Sequence, residues 1–140
     1  MDMRYEKSCG AVVYAMMGGK PHFLVEHMRL GHMSLPKGHV EGDETEEQTA
    51  SREIREETNL EVSIDTAFRH EISYSPYEGI MKTVVFFIAE AVTFDLVNQE
   101  SEVSSLEWMN YDSAYDAMTF DTDKEVLGHA KQYLSAKAGC

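Results

Sequence analysis

Short apolar segments alternate with turns and polar stretches along this chain of 140 residues. Residues 8–17 are apolar and contain β-branched side chains, which predicts a strand, and residues 22–28 are predicted to follow as a second strand. The glycines and proline of residues 18–21 predict the turn between them. Residues 29–38 are predicted to form a loop. Further strands are predicted at residues 61–66, 68–74, 81–94 and 105–109, and the continuous apolar run at 83–92 favours a buried central strand.

Two segments have the composition and period of helices. Residues 45–58 consist mostly of good helix formers, with Ala50, Ile54 and Thr58 recurring every fourth position as a packing stripe. Asp43 or Thr45 is expected to cap its start, and Asn59 stands where a left-handed residue ends a helix. Residues 121–136 form the second predicted helix. Strands and helices alternate without a repeat or linker, which predicts one α/β or α+β sandwich domain over residues 1–140.

Charge and composition limit the possible functions. The formal net charge is −13 at pH 7, and such an acidic surface repels nucleic-acid backbones and anionic membranes but tolerates a small phosphorylated ligand in a local basic pocket. No apolar run is long enough to span a bilayer and no signal peptide pattern is present, which predicts a cytoplasmic protein. Cys9 and Cys140 make neither a metal knuckle nor a disulfide framework.

A cluster of carboxylates on the first predicted helix carries the candidate chemistry. Glu53, Glu56 and Glu57 stand at positions i, i+3 and i+4, which places all three on one helical face. Like charges there repel unless a cation neutralises them, and clustered carboxylate oxygens suit Mg²⁺ or Mn²⁺. Glu44 can reach the same face near the helix N-terminus and is a further candidate metal ligand. A bound Mg²⁺ keeps positions for water and phosphate oxygens, so the pattern indicates phosphoryl chemistry. A solvated acidic face is the alternative reading.

The spacing around these carboxylates resembles a family signature. Residues 38–60 satisfy G-x5-E-x7-R-E-U-x-E-E-x-x-U, where U is a bulky aliphatic residue. This pattern resembles that of the Nudix hydrolases, except that Asn59 replaces the usual glycine. The resemblance implies an α/β/α sandwich around a mixed sheet. It also implies metal ligation by Glu53, Glu56, Glu57 and the carbonyl of Gly38, and an Arg52 that holds a catalytic glutamate by ion pairing. Glu57 is the first candidate for the general base and Glu102 the second.

Other segments resemble the branch that hydrolyses diadenosine tetraphosphate asymmetrically. They are residues 7–12, 35–41, 82–87, 102–103 before Trp108, and 119–120 before Lys124. Cleavage to ATP and AMP by water attack on the phosphate bridge is the activity that this branch implies. Lys37, His39 and Lys82 would supply cationic or hydrogen-bonding groups along the bridge. Tyr74 and Phe120 are the candidates for stacking on adenine, although aromatic rings of this kind are also common in cores.

Two alternative functions stay open. One is a Nudix hydrolase for a different substrate: a nucleoside triphosphate such as oxidised dGTP, as in MutT-like enzymes, ADP-ribose, or the 5′ end of RNA. Met33, where the tetraphosphate branch commonly has tryptophan, favours this alternative slightly. The other is a catalytically silent nucleotide-binding domain, but such domains typically lose helix carboxylates that are all present here. The expected partner in each case is a small nucleotide, and the oligomeric state is left open.

Overall fold

A mixed seven-stranded sheet lies at the centre of the computed structural model, which describes residues 3–138. The elements in chain order are β1 (Arg4–Met17), β2 (Lys20–Met28), β3 (Met33–Ser34), β4 (Lys37–His39), α1 (Glu46–Thr58), β5 (Val62–Tyr74), β6 (Ile80–Ala91), β7 (Val103–Met109), α2 (Tyr111–Ala117) and α3 (Asp121–Ala138). Residues 1, 2, 139 and 140 lie outside the described range, so Cys140 and both ends of the predicted 1–140 domain do too.

The sheet is ordered β3-β2-β1-β6-β5, with β4 paired to β1 and β7 paired to β2. Strands β1 and β6 run parallel, whereas the other pairs are antiparallel. Strand β6 lies between β1 and β5, and its residues 84–89 are all buried. Flanking strands shield its backbone and both faces are covered, as the apolar run at 83–92 predicted.

Helices cover both faces of the sheet and create two separate cores. Ala50 and Ile54 of α1 pack in one cluster with residues of β1, β2 and β6. Ala114 of α2 and Leu127 of α3 pack in the other cluster. Successive residues of a strand point to opposite faces, so one sheet supplies both clusters. The predicted α/β sandwich is therefore confirmed. No helix within residues 3–138 is both long and apolar enough to cross a membrane.

The ends of α1 are set by local hydrogen bonds. Thr45 is the N-cap, and its hydroxyl accepts a bond from the Gln48 amide at 3.1 Å while the Gln48 side chain accepts one from the Thr45 amide at 2.9 Å. Thr45, rather than Asp43, therefore caps the helix. Asn59 ends it in the left-handed region with φ 68°, where asparagine replaces glycine at modest cost. The predicted stripe on this helix is fully buried.

Several predicted boundaries were wrong. The turn before β2 contains only residues 18 and 19, because Lys20 already begins the strand and pairs with Met17, and Pro21 follows it by pairing with Met16. The predicted loop at 29–38 contains β3 and the start of β4. The two strands predicted at 61–74 are one strand, β5, with an irregular register between Asp65 and His70. Helix α2 was not predicted, since its seven residues bury only Ala114.

Candidate active site

Helix α1 lies against β4, where Gly38 allows a close approach. A Cβ atom at Gly38 would stand 2.1 Å from the carboxyl carbon of Glu53, far inside van der Waals contact. The Glu53 carboxylate therefore rests directly on the β4 backbone, and a side chain at position 38 would have to displace it. Gly10 is constrained more strictly, since a Cβ there would lie 2.0 Å from the Pro36 carbonyl oxygen of the backbone. Together these glycines let β1, β4 and α1 converge.

Arg52 joins the acidic residues around the start of α1. Its guanidinium donates to Glu44 at 2.6 and 3.0 Å, to Glu53 at 2.8 Å and to Glu56 at 3.2 Å. It also donates to the backbone carbonyl of His39 at 2.9 Å, which ties the helix to β4. The planar fork of arginine can serve several acceptors at once. Arg52 therefore fixes the position of Glu53 and neutralises part of the acidic cluster.

Glu44 lies beside Arg52 with both carboxylate oxygens occupied. Besides Arg52, the Thr49 hydroxyl donates to it at 3.0 Å and the Glu41 amide at 3.0 Å. The Arg52 guanidinium, followed by the bond from Glu41, lowers the pKa of Glu44 to about 2. The carboxylate is thus ionised and already fully hydrogen-bonded. In this structure Glu44 therefore holds the Arg52 guanidinium in position.

The three carboxylates of α1 differ strongly in exposure. The Glu56 side chain is 50% exposed and that of Glu53 14%, whereas Glu57 is only 3% exposed. Among the described residues, none donates a hydrogen bond to the Oε2 atom of Glu57. Burial, followed by the charge of Glu26, raises the pKa of Glu57. The cluster therefore runs from solvent at Glu56 to the interior at Glu57.

Glu26 is a buried carboxylate that the sequence analysis missed. It lies on β2, is 1% exposed and faces Glu57. Burial raises its pKa, and the charges of Lys37, Glu53 and Glu102 all act on it. A charged residue within the apolar segment 22–28 was the available signal. Its significance depends on α1 covering this face of β2, which the sequence pattern did not show.

A cleft of about 560 Å³ lies at the start of α3. Its walls are His32, Ser34, Lys37, Ile72, Tyr74, Pro76, Val84, Phe120, Asp121, Thr122 and Asp123. Tyr74 and Phe120 both line it and are 37% and 51% exposed, so neither ring is a core residue. The imidazole of His32 lies 5.7 Å from the Phe120 ring, centroid to centroid. Aromatic rings open to a cleft can stack on a flat ligand.

Asp123 gives this cleft a second feature that was not predicted. It stands in the first turn of α3, is 5% exposed, and burial raises its pKa to about 6 against an opposing effect of Lys37. Lys37 also acts on the charge of Glu26. Lys37 thus lines the aromatic cleft, and its charge acts on the buried carboxylates of Glu26 and Asp123. This makes Lys37 the link between the two parts of the site.

The remaining predicted site residues are Lys82, His39 and Glu102. Lys82 pairs with Tyr74 across β5 and β6, and burial followed by the charge of Lys37 lowers its pKa. His39 is exposed on β4, with its carbonyl bound to Arg52. Glu102 is exposed just before β7, and its carbonyl accepts a bond from the Arg29 amide at 2.9 Å. Glu102 acts on the buried carboxylate of Glu26 through its charge and not through a hydrogen bond among the described residues.

A separate group of potential metal ligands occurs on the α3 side of the sheet. The ligand atoms of His70, Glu125 and His129 lie within 4.8 Å of one another, and the two imidazoles are stacked. His70 shares its strand face with Phe68 and Ile72, which pack toward α3. The group is therefore on the other side of the sheet from α1 and does not belong to the carboxylate site.

Comparison with known proteins relates this site to enzymes of nucleotide metabolism. The NUDIX domain family matches residues 5–130. The asymmetrical bis(5'-nucleosyl)-tetraphosphatase of Sus scrofa is 35% identical over 111 residues, covering 76% of this chain and 75% of that protein. The protein of the same name from Mus musculus is 29% identical over 140 residues, covering 91% and 95%. A C. elegans Ap4A hydrolase, in a binary complex, superposes with a TM-score of 0.85 at 26% identity, covering 94% and 98%.

Proposed function

This chain belongs to the NUDIX family and is a hydrolase of pyrophosphate bonds, and we propose that it cleaves diadenosine tetraphosphate into ATP and AMP. The observation that supports this substrate most is that Lys37 lines a cleft with two open aromatic rings while its charge also acts on Glu26, the carboxylate that faces Glu57 of α1. A substrate that needs both an adenine clamp and a polyphosphate track matches this arrangement. We propose further that residues 1–140 act as one such domain, because both cores share one sheet.

The carboxylates of α1 are suited to a divalent cation, Mg²⁺ or Mn²⁺. Glu53, Glu56 and Glu57 provide hard oxygen donors, the Oε2 atom of Glu57 has no donor among residues 3–138, and the backbone of Gly38 lies against Glu53. These groups, with the Gly38 carbonyl, would hold the ion. When bound, such an ion supplies Lewis-acid stabilisation of phosphoryl oxygens and acidifies a bound water. Glu44 contributes indirectly, because its oxygens are committed to Arg52 and neighbouring groups.

Glu57 is the proposed general base. Its carboxylate is buried, and burial raises its affinity for a proton. In the proposed step, the oxygen of water forms a bond to a bridge phosphorus while the carboxylate of Glu57 takes the proton. The P–O bond to the leaving nucleotide breaks, and the leaving phosphate oxygen keeps the electron pair. Glu102 is the second candidate, but its side chain is exposed and makes no hydrogen bond to α1 among the described residues; only its backbone is linked to Glu57, through Gln99.

Lysines and aromatic side chains would orient the substrate. The charge of Lys37 lowers the pKa of Lys82, and a polyphosphate bound by both lysines would relieve this repulsion and form charge-assisted hydrogen bonds. His39 can reach the same phosphates from its exposed position on β4. Tyr74 and Phe120 would hold one adenine in the cleft. Binding the adenine and the polyphosphate at the same time would hold one phosphorus of the bridge at a fixed position relative to the carboxylates. Cleavage at that phosphorus is then favoured over cleavage elsewhere in the bridge.

Product analysis tests this proposal. The protein is incubated with Mg²⁺ and diadenosine tetraphosphate, beside separate reactions with oxidised dGTP, ADP-ribose and RNA carrying a 5′ triphosphate. We expect ATP and AMP in equal amounts, formed with a higher kcat/KM than any product of the panel. Glu57→Gln should abolish turnover, and Tyr74→Ala should raise KM more than it lowers kcat. Tyr77→Ala is the matched control, because Tyr77 is 73% exposed and lies outside the cleft wall.

Two outcomes would overturn parts of this assignment. Faster turnover of a triphosphate, with the tetraphosphate left intact, would show that the cleft serves a different nucleotide. Equal KM values for Tyr74→Ala and Tyr77→Ala would remove Tyr74 from the adenine clamp.

A further inference from the structure

Glu26 occupies an unusual place for a charged residue. It lies in β2, paired with Ser34 of β3 and Leu106 of β7. Its strand neighbour Leu24 packs in the core beneath α1, whereas Phe23 packs in the opposite core. Since side chains alternate along a strand, Glu26 points toward α1. It is 1% exposed, so its carboxylate is enclosed between the sheet and the helix.

Neither carboxylate oxygen of Glu26 receives a hydrogen bond from any residue in the range 3–138. The facing Oε2 atom of Glu57 is also without a donor. Lys37 influences Glu26 only through its charge. Burying one unpaired polar group is costly, and burying two carboxylates face to face is costlier still. An arrangement of this kind is stabilised by a cation that both carboxylates contact.

We propose that Glu26 is a further ligand of the divalent cation at α1, acting from the sheet side together with Glu57 on the helix side. This inference rests on the metal site proposed above and adds a residue that lies outside the helix motif. Residues 38–60, which carry that motif, do not include Glu26, so the ion would be held between two elements. A ligand from β2 also explains why a carboxylate lies in the buried part of this strand, next to Phe23, Leu24 and Val25.

Three other charged groups of the site act on the Glu26 carboxylate. Glu53, Glu102 and Lys37 all affect it. Glu56, at the solvent side of the helix, is half exposed. The cation site would therefore have an open side at Glu56 and a closed side at Glu26 and Glu57. Ligands on the closed side exchange with water least readily, so they should contribute strongly to affinity.

Calorimetric titration with Mn²⁺ tests the proposal without measuring turnover. Glu26→Gln keeps the shape of the side chain and removes its charge, and we expect it to weaken Mn²⁺ binding by about tenfold or more, as loss of groups around a metal typically does. Glu107→Gln is the matched control, because it removes the same charge from an exposed position on the adjacent strand β7. That variant should bind Mn²⁺ like the unaltered protein.

Thermal unfolding provides a second readout. In EDTA, Glu26→Gln should raise the Tm, because one of two facing buried carboxylates loses its charge. Added Mn²⁺ should then raise the Tm of this variant less than it raises that of the unaltered protein. If Glu26→Gln does not fold, Glu26→Asp replaces it. That variant keeps the charge but retracts the carboxylate by one methylene, and it should also bind Mn²⁺ more weakly.

The titrations separate failure of this inference from failure of the proposed function. If Glu57→Gln loses Mn²⁺ affinity while Glu26→Gln, or Glu26→Asp, binds as the unaltered protein does, Glu26 is not a ligand and the metal site on α1 stands. Unchanged Mn²⁺ affinity in Glu57→Gln would overturn both. In the first case the two carboxylates would share a proton rather than an ion.

Discussion

Replacing Asp123 with asparagine should change the stability of the protein more favourably at neutral pH than at acidic pH. Asp123 is 5% exposed at the wall of the cleft, and burial raises its pKa from 3.8 to about 6. Because the pKa is higher in the folded chain than in the unfolded chain, the folded state binds the proton more tightly. The stabilisation from this proton is complete below pH 4 and disappears as the pH rises through about 6.

The size of the effect follows from the shift. A difference of about two pKa units corresponds to about 3 kcal/mol of stability in total. At pH 5, one unit below the folded-state pKa, about 1 kcal/mol of that stabilisation remains. Asparagine does not titrate, so it adds no pH dependence to the free energy of unfolding. Its buried amide changes that free energy by the same amount at every pH. The free energy of unfolding of Asp123→Asn, relative to the unaltered protein, should therefore rise by about 1 kcal/mol between pH 5 and pH 7.5.

Urea unfolding at pH 5 and pH 7.5, followed by circular dichroism, measures this change. Asp121→Asn is the control, because Asp121 is exposed in the same first turn of α3. Its relative stability should be the same at both pH values. A difference between Asp123→Asn and the unaltered protein that does not change with pH would refute the reasoning, since it would show that burial does not disfavour the charge of Asp123.

Further predictions concern the helix of carboxylates and its supports. Arg52→Lys should lower the free energy of unfolding by roughly 1–2 kcal/mol in urea, because an ammonium group cannot serve the same set of acceptors and the site is partly exposed. Gly38→Ala should weaken Mn²⁺ binding in calorimetry with little loss of stability, since its Cβ meets only the mobile end of Glu53. Gly10→Ala should instead destabilise the fold by about 3 kcal/mol or more in urea, because its Cβ meets a backbone carbonyl. Thr45→Ala should cost about 1 kcal/mol in the same assay through loss of the capping bond.

These variants also check one another. A large stability loss in Gly38→Ala, equal to that in Gly10→Ala, would show that Glu53 cannot move aside. Unchanged stability in Arg52→Lys would contradict the supporting role given to the guanidinium. Thr45→Ser serves as the conservative control for the cap, since serine keeps the accepting hydroxyl.

Local signals explain what the sequence could predict. The start and end of α1 depend on residues within or next to the helix, such as Thr45 and Asn59, so their roles are visible in the sequence. The same is true of β6, whose own apolar run predicts that the strand is buried. The clustering of three glutamates on one helical face follows from helical geometry alone.

The residues and elements that were not predicted depend mostly on contacts between segments that are far apart in the sequence. Glu26 and Asp123 are ordinary acidic residues in sequence, and their burial arises only when α1 covers β2 and α3 covers the cleft. The strands β3 and β4 are two and three residues long, too short for a periodic signal, and are held by pairing with β2 and β1. Helix α2 buries a single side chain, so its hydrophobic pattern is weak, although Asn110 provided an N-cap signal.

Hydrolysis in water enriched in ¹⁸O tests the central claim most directly. Diadenosine tetraphosphate, Mg²⁺ and the protein are incubated in this water, and the products are separated and weighed by mass spectrometry. The account predicts ATP and AMP in equal amounts, with one ¹⁸O atom in one product of each pair. Two molecules of ADP from each substrate would contradict the asymmetric cleavage, and products without ¹⁸O would contradict attack by water.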